Sequence, residues 1–80
     1  MEKSAVISEL ETIFRDYFDD PDLELTPETS QETIEDWDSL AQISLLVAIE
    51  KHFQVRFSMN QAAELKTFGK ITDAILNMAG

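Results

Sequence analysis

The segment SLAQISLLVAIEKHF, residues 39–53, limits the possible folds of this chain more than any other stretch. It contains no glycine or proline, and its apolar residues recur at helical spacing. On a helix that turns by about 100° per residue, with position 39 at 0°, one broad apolar arc runs from about 180° to about 340°. The arc contains Ala41, Leu45, Leu46, Ala48, Ile49 and Phe53. It predicts a helix that packs one face on a core.

The same helix carries a second apolar stripe, on the side of Ser39. Leu40, Ile43 and Val47 fall between about 40° and about 100° on the same wheel. An amphipathic helix needs only one apolar stripe. Either a small bundle packs this helix on several sides, or the three residues are partly exposed and meet a partner protein. The sequence leaves both interpretations open.

The region before this helix predicts another helix and a long loop. Residues 4–18 have helical periodicity, with Ser4 as the expected cap and Pro21 beyond the end. Their predicted buried stripe comprises Val6, Leu10, Ile13, Phe14 and Tyr17. Residues 19–38 then form a loop longer than compact domains commonly use. Its apolar residues predict an ordered loop laid across the core, with Trp37 as the anchor.

The region after residue 53 predicts two more helices. Ser58 and Gln61 have the spacing of a capping box, which predicts a short helix at about 59–65. Thr67 is the expected cap of a last helix that reaches about residue 78, although Gly69 in its first turn is unfavourable. We therefore expect an all-α fold: a small four-helix bundle with three longer helices and one short helix. Residues 1–80 are expected to form a single domain.

Acidic residues outnumber basic ones, and they are unevenly distributed. The chain has 16 Asp and Glu against 6 Lys and Arg, a formal net charge of −10. This charge disfavours binding to nucleic acid or to an anionic membrane, and it favours basic partner surfaces. Nine of the acids lie between positions 19 and 38: Asp19, Asp20, Asp22, Glu24, Glu28, Glu32, Glu35, Asp36 and Asp38. They form either a solvated acidic loop or a patch that steers a partner to a neighbouring docking site.

Several classes of protein are disfavoured by the composition. Without cysteine, the chain has neither a disulfide framework nor thiolate chemistry. No apolar run approaches the ~18 residues of a membrane span, and MEKSAVISELE lacks the apolar centre of a signal peptide. We therefore expect a cytoplasmic monomer without membrane insertion. Asp20, Asp22 and Glu24 have the spacing of a calcium loop, but Leu25 and Gln31 stand where glycine and glutamate are needed. We expect no metal site.

Ser39 stands at the start of the predicted second helix, directly after a good N-cap residue, Asp38. A nucleophilic serine needs a base within hydrogen-bonding distance. The only histidine, His52, lies further along the same helix, about 20 Å away. We therefore predict no catalytic residue and no hydrolase activity. A hydroxyl at a helix N-terminus is suited to a phosphate ester, because the free N–H groups and the helix dipole favour negative charge.

The stretch WDSLAQISLLVAIEKHFQVRF resembles the acyl carrier protein family. The family's attachment signature is Asp-Ser-Leu at the start of the second helix, which corresponds here to Asp38, Ser39 and Leu40. The resemblance continues at Leu45, Ile49, Glu50 and Phe53. The stretch ELKTFGKITDAI is similar to the junction of the family's third and fourth helices. The resemblance covers nearly the whole chain, including its acidity and its long first loop.

The resemblance implies that Ser39 carries 4′-phosphopantetheine, added from coenzyme A by a phosphopantetheinyl transferase, with Asp38 and Leu40 completing the attachment site. Acyl groups would be held as thioesters on the thiol of this arm, so the protein would be a carrier and not an enzyme. The implied partners are acyl-transferring, ligase or synthase enzymes with basic docking patches. The partner-binding residues implied are Leu40, Ile43, Val47, Asp36, Asp38 and Glu50.

Three positions depart from the pattern of fatty-acid carriers. Trp37 stands where they have a small or apolar residue, and Ala41 and Ser44 stand where they usually have acids. These departures favour a discrete, specialised carrier of secondary metabolism or cell-surface assembly over a carrier of fatty-acid synthesis. A peptidyl or D-alanyl carrier and a domain of a larger synthase are the alternatives of the same fold. The alternative of another class is an unmodified acidic interaction module whose exposed stripe binds a basic partner.

Overall fold

The structure, a computed structural model, describes residues 2–79 and contains four α-helices. They are α1 (Lys3–Phe18), α2 (Ser39–Phe53), α3 (Met59–Glu64) and α4 (Phe68–Ala79). α1 packs against both α2 and α4. Within the described range, extended backbone pairs only at one antiparallel bridge, between Ser30 and Thr67. The predicted all-α bundle, with three longer helices, one short helix and a long first loop, is confirmed.

Three aromatic rings occupy the centre of the core. The Phe14 ring meets Trp37 edge-on, with 5.2 Å between ring centres, and meets Phe68 in the same way at 5.3 Å. Edge-to-face contacts of this kind add to the stabilisation from burial alone. Trp37 is only 1 % exposed, which confirms its predicted role as the anchor of the loop. The cluster therefore joins α1, α4 and the loop residue that lies two positions before Ser39.

α1 begins earlier than predicted and without the predicted cap. Its N-cap is Glu2, which has extended backbone and makes no side-chain capping bond. Ser4 therefore lies inside the first turn, and its prediction as the cap is wrong. Tyr17 was predicted in the buried stripe, but it is 42 % exposed. Phe18 packs on the core instead, because it continues the helix row of Phe14 four residues further on.

The loop of residues 19–38 is fastened to the start of α4. The N–H of Phe68 donates to the carbonyl of Thr29 at 2.9 Å, and the N–H of Gly69 donates to that of Pro27 at 3.0 Å. These bonds pair N–H groups that a helix start leaves without helical partners. A Cβ at position 69 would lie 2.9 Å from the Pro27 carbonyl oxygen. Glycine, unfavourable here by helix propensity, is therefore what permits the close approach.

The caps predicted for α3 and α4 are present. Ser58 and Gln61 exchange side-chain and backbone hydrogen bonds as a capping box, and α3 then ends one residue earlier than predicted. The Thr67 hydroxyl accepts the N–H of Lys70 at 3.1 Å, which confirms it as the cap of α4. The capping box fixes the start of the short α3, which itself has no buried residue.

Candidate functional site

Ser39 is the first residue of α2, and it is exposed. The residue before it, Asp38, has extended backbone and caps the helix, its Oδ1 accepting the N–H of Ala41 at 2.8 Å. The Asp38 carbonyl accepts the N–H of Gln42 at 2.9 Å, which closes the first turn. The predicted N-cap is therefore confirmed. The Ser39 hydroxyl sits on a fixed helix terminus and remains open to a large reactant.

Two further hydrogen bonds hold this end of α2 in place. The indole Nε1 of Trp37 donates to Oε1 of Gln42 at 2.7 Å, and Nε2 of Gln42 donates to the carbonyl of Leu65 at 2.7 Å. Gln42 thus links the loop before Ser39 to the end of α3. Sequence reasoning missed this residue. The signal was its place at about 300° on the predicted core arc, where a partly buried amide needs hydrogen-bond partners.

The second apolar stripe of α2 faces solvent. Leu40 is 72 % exposed, Ile43 is 62 % exposed and Val47 is 43 % exposed. The three residues are three and four positions apart, so their exposed side chains form one apolar row on the helix and not isolated single residues. Of the two interpretations of this stripe, packing on several sides is wrong and exposure is correct. We call these three residues the exposed stripe; their contact with a partner remains a prediction.

The predicted acids of the site lie at two distances from the serine. Asp36 and Asp38 are exposed and precede Ser39 directly. Glu50 lies three helical turns further along α2, about 16 Å from Ser39. It is half-buried, and its Oε2 accepts the N–H of Phe57 at 2.8 Å. The structure therefore groups the first two acids with the hydroxyl and separates the third from it.

His52 lies at the far end of α2 and is directed toward α1. Its Nε2 is 2.8 Å from Oε1 of Glu9. Across residues 2–79, no group of three or more His, Asp or Glu side chains could hold a metal ion. No helix in that range combines the length and the apolar character needed to cross a bilayer. His52 thus contacts a residue of α1 and is remote from Ser39.

The first turn of α2 fits a phosphate ester on Ser39. The hydroxyl stands at the N-terminus of a 15-residue helix, where N–H groups and the dipole favour an anion. The neighbouring side chain of Leu40 extends into solvent and leaves the approach open. The Asp38 carboxylate opposes a phosphate by its charge, but its Oδ1 is engaged by the N–H of Ala41. The first turn of α2 could therefore hold a solvent-exposed phosphodiester on Ser39.

Comparisons with known proteins agree with this geometry. A family model described as "Phosphopantetheine attachment site" matches residues 8–75. Among solved structures, the chain is similar to the solution NMR structure of a holo acyl carrier protein from Geobacter metallireducens. The TM-score is 0.85 and the sequence identity 36 %, over 91 % of this chain and 84 % of that chain. No curated protein sequence matches the chain.

Proposed function

Because this chain belongs to the acyl carrier protein family, whose cofactor is a covalently attached 4′-phosphopantetheine, we propose that Ser39 is the residue that carries the group. The chain is a carrier protein. One observation carries the assignment: the exposed Ser39 hydroxyl at the first position of a capped helix, within Asp38-Ser39-Leu40. Asp38 orients the turn through its capping bond, and Leu40 offers an apolar contact beside the hydroxyl.

The attachment is a transfer from coenzyme A by a phosphopantetheinyl transferase. The Ser39 oxygen bonds to the phosphorus that bears pantetheine, the pyrophosphate bond of coenzyme A breaks, and adenosine 3′,5′-bisphosphate leaves. The transferase supplies the base that takes the Ser39 proton, since His52 is bonded to Glu9 at the far end of α2. The terminal thiol of the bound group supplies the nucleophile that holds acyl groups as thioesters. Because coenzyme A is an intracellular cosubstrate, we assign the carrier to the cytoplasm.

The exposed stripe, together with Asp36, Asp38 and Glu50, is the proposed contact face for enzymes. These are the transferase and the acyl-transferring, ligase or synthase enzymes that load and use the carrier. Support comes from the exposure of the stripe, since large apolar side chains on a surface commonly mark a protein–protein contact. The acids at its start attract basic groups and raise the rate of encounter.

We also propose that the carrier serves a specialised pathway rather than fatty-acid synthesis. Glu50 is the only acid within α2, and one of its oxygens is bonded to the Phe57 N–H. A partner that recognises acids along the whole helix therefore finds few of them here. The test is to offer the holo protein to a malonyl transferase of fatty-acid synthesis beside a fatty-acid carrier. We expect much slower loading of this chain; equal loading of the two carriers would refute the assignment.

The attachment itself is tested by intact-mass spectrometry. The chain is incubated with coenzyme A and a broad-specificity phosphopantetheinyl transferase, and we expect one phosphopantetheine mass to be added. Ser39→Ala should abolish the gain, whereas the matched Ser44→Ala, on the same helix, should retain it. A wild-type chain that gains no mass would instead favour the unmodified interaction module.

A further inference from the structure

The exposed face of α2 changes the sign of its charge along its length. At its start, Asp36 and Asp38 are exposed beside the attachment serine. At its end, Lys51 and Arg56 are exposed, and both border a shallow hollow against Val47. The exposed stripe lies between these two pairs of charges. The face is therefore acidic at one end, apolar in the middle and basic at the other end.

Glu50 lies at the basic end but does not neutralise it. It is half-buried, and its Oε2 accepts the backbone N–H of Phe57 at 2.8 Å. The ion pairs that the structure gives for residues 2–79 involve neither Lys51 nor Arg56. The Glu50 carboxylate is one negative charge, and it lies beside the two exposed positive charges of Lys51 and Arg56. The end of the face beyond Val47 therefore carries net positive charge in a chain whose net charge is −10.

An enzyme that covers Ser39 comes close to this basic end. A typical protein interface buries about 800 Å² on each partner, which corresponds to a disc of about 16 Å radius. Lys51 lies about 18 Å from Ser39 along the helix axis, at ~1.5 Å per residue. Lys51 thus falls just beyond the rim of an interface of this size centred on the serine, within reach of the partner's side chains, and Arg56 borders the same hollow as Lys51. Charges at a rim act mainly on the association rate and on its dependence on salt.

We propose that the transferase that modifies Ser39 meets this face with a docking strip of matching polarity. It places basic side chains against Asp36 and Asp38, and apolar surface against the exposed stripe. It places acidic side chains against Lys51 and Arg56. This inference rests on the proposed function, since an enzyme has to cover Ser39. A docking patch that is basic throughout would be repelled at the far end, and the two charge signs allow only one orientation along the helix.

The test compares two double variants that change the net charge equally. K51E/R56E reverses the basic end of α2, and K66E/K70E reverses two exposed lysines outside α2. Each is converted with coenzyme A by the phosphopantetheinyl transferase of the same organism, and kcat/KM is measured by intact mass at low and high salt. Circular dichroism checks that both variants fold, and the neutral K51Q/R56Q serves as an intermediate.

We expect K51E/R56E to lower kcat/KM by about three- to tenfold at low salt, with K51Q/R56Q in between. The loss should disappear near 0.5 M salt, where the Debye length falls to about 4 Å. K66E/K70E should leave kcat/KM unchanged or raise it. A rise or no change with K51E/R56E would overturn the acidic contact and indicate a partner that is basic throughout. If even the wild-type chain gains no mass, the proposed function fails and the inference fails with it.

Discussion

The two faces of α2 carry the same kinds of apolar side chain, but one face is buried and the other is exposed. On one face, Leu45 and Ile49 are fully buried in the bundle. On the other face, Leu40 and Ile43 are 72 % and 62 % exposed. Burial of an apolar side chain stabilises the fold, whereas an exposed one contributes little to folding and remains available for contact. Hydropathy alone therefore does not distinguish the residues of this helix that enter the core from those of the exposed stripe.

The largest expected effect is a difference in the free energy of unfolding between variants of Leu45 and Leu40. Leu45→Ala should lower the free energy of unfolding by about 2–5 kcal/mol, because it removes fully buried methyl groups and leaves a cavity. Leu40→Ala should change it by less than about 0.5 kcal/mol, because the side chain is already in water. Urea unfolding followed by circular dichroism measures both. Equal losses for the two variants would show that the exposed stripe also supports the fold.

When the rate of modification is measured instead of stability, the two leucine variants should rank in the opposite order. Leu40→Ala should lower kcat/KM of the transferase, since the few residues whose truncation costs more than about 1 kcal/mol cluster near the centre of an interface, and Leu40 adjoins the modified serine. Leu45→Ala, assayed at a temperature where it remains folded, should leave kcat/KM near the wild-type value. A Leu40→Ala chain that is modified at the wild-type rate would contradict the contact assigned to that face.

The next effect concerns the polar residue on the buried face. Gln42→Ala should cost about 1–3 kcal/mol, because the Trp37 indole N–H and the Leu65 carbonyl both lose their partner. Trp37 fluorescence should shift as its surroundings change. The matched Gln31→Ala removes only a 3.5 Å contact to the Asp38 carbonyl and should have no measurable effect. If both glutamine variants unfold at the wild-type midpoint, the hydrogen bonds of Gln42 to Trp37 and Leu65 do not contribute to stability.

A smaller effect is expected at the helix start. Asp38→Ala removes the capping bond to the Ala41 N–H and should cost about 1 kcal/mol. Asp38→Asn keeps a capping oxygen without the charge, so its stability should stay close to that of the wild type. Asp36→Ala, at an exposed position beside the cap, serves as the control and should be neutral. Thermal unfolding distinguishes them; a loss in Asp38→Asn equal to that in Asp38→Ala would mean that the charge, and not the cap, stabilises this end.

The smallest expected effect comes from the acids outside the buried face. Between Arg15 and Lys51 the chain has acids but no Lys or Arg, so their charges repel one another in the folded state. Salt screens this repulsion, and we expect the melting temperature to rise by about 2–4 °C from low to moderate salt. Differential scanning calorimetry at two salt concentrations measures it. A constant or falling melting temperature would show that repulsion among these acids does not destabilise the fold.

Local signals in the sequence predicted the parts of the fold that depend on local interactions. α2 has the predicted bounds because no Gly or Pro interrupts it and Asp38 caps it. The Ser58–Gln61 box and the Thr67 cap are likewise set by residues three positions apart. The prediction that Ser4 caps α1 was wrong because a serine near a helix start is not the cap when the residue before it is already helical.

The parts that escaped prediction depend on contacts between distant residues. Gln42 bonds to the carbonyl of Leu65, twenty-three positions away, and nothing local marks that partner. The bond from the Phe57 N–H to Glu50 depends on the reversal of the chain at Gln54, whose backbone is left-handed with φ 56°. For the candidate site, the sequence predicted the position of Ser39 and the apolar stripe. Whether that stripe was buried depended on how the helices pack.

The position of the cofactor is tested most directly by fragmenting the modified chain. Trypsin cuts after Arg15 and Lys51 and nowhere between them, so Ser30, Ser39 and Ser44 lie in one peptide. Tandem mass spectrometry of that peptide, after reaction with coenzyme A and the transferase, locates the added group. We expect all of the added phosphopantetheine on Ser39, because its hydroxyl stands exposed at the start of α2. Phosphopantetheine on Ser30 or Ser44, or an unmodified peptide, would contradict the assignment.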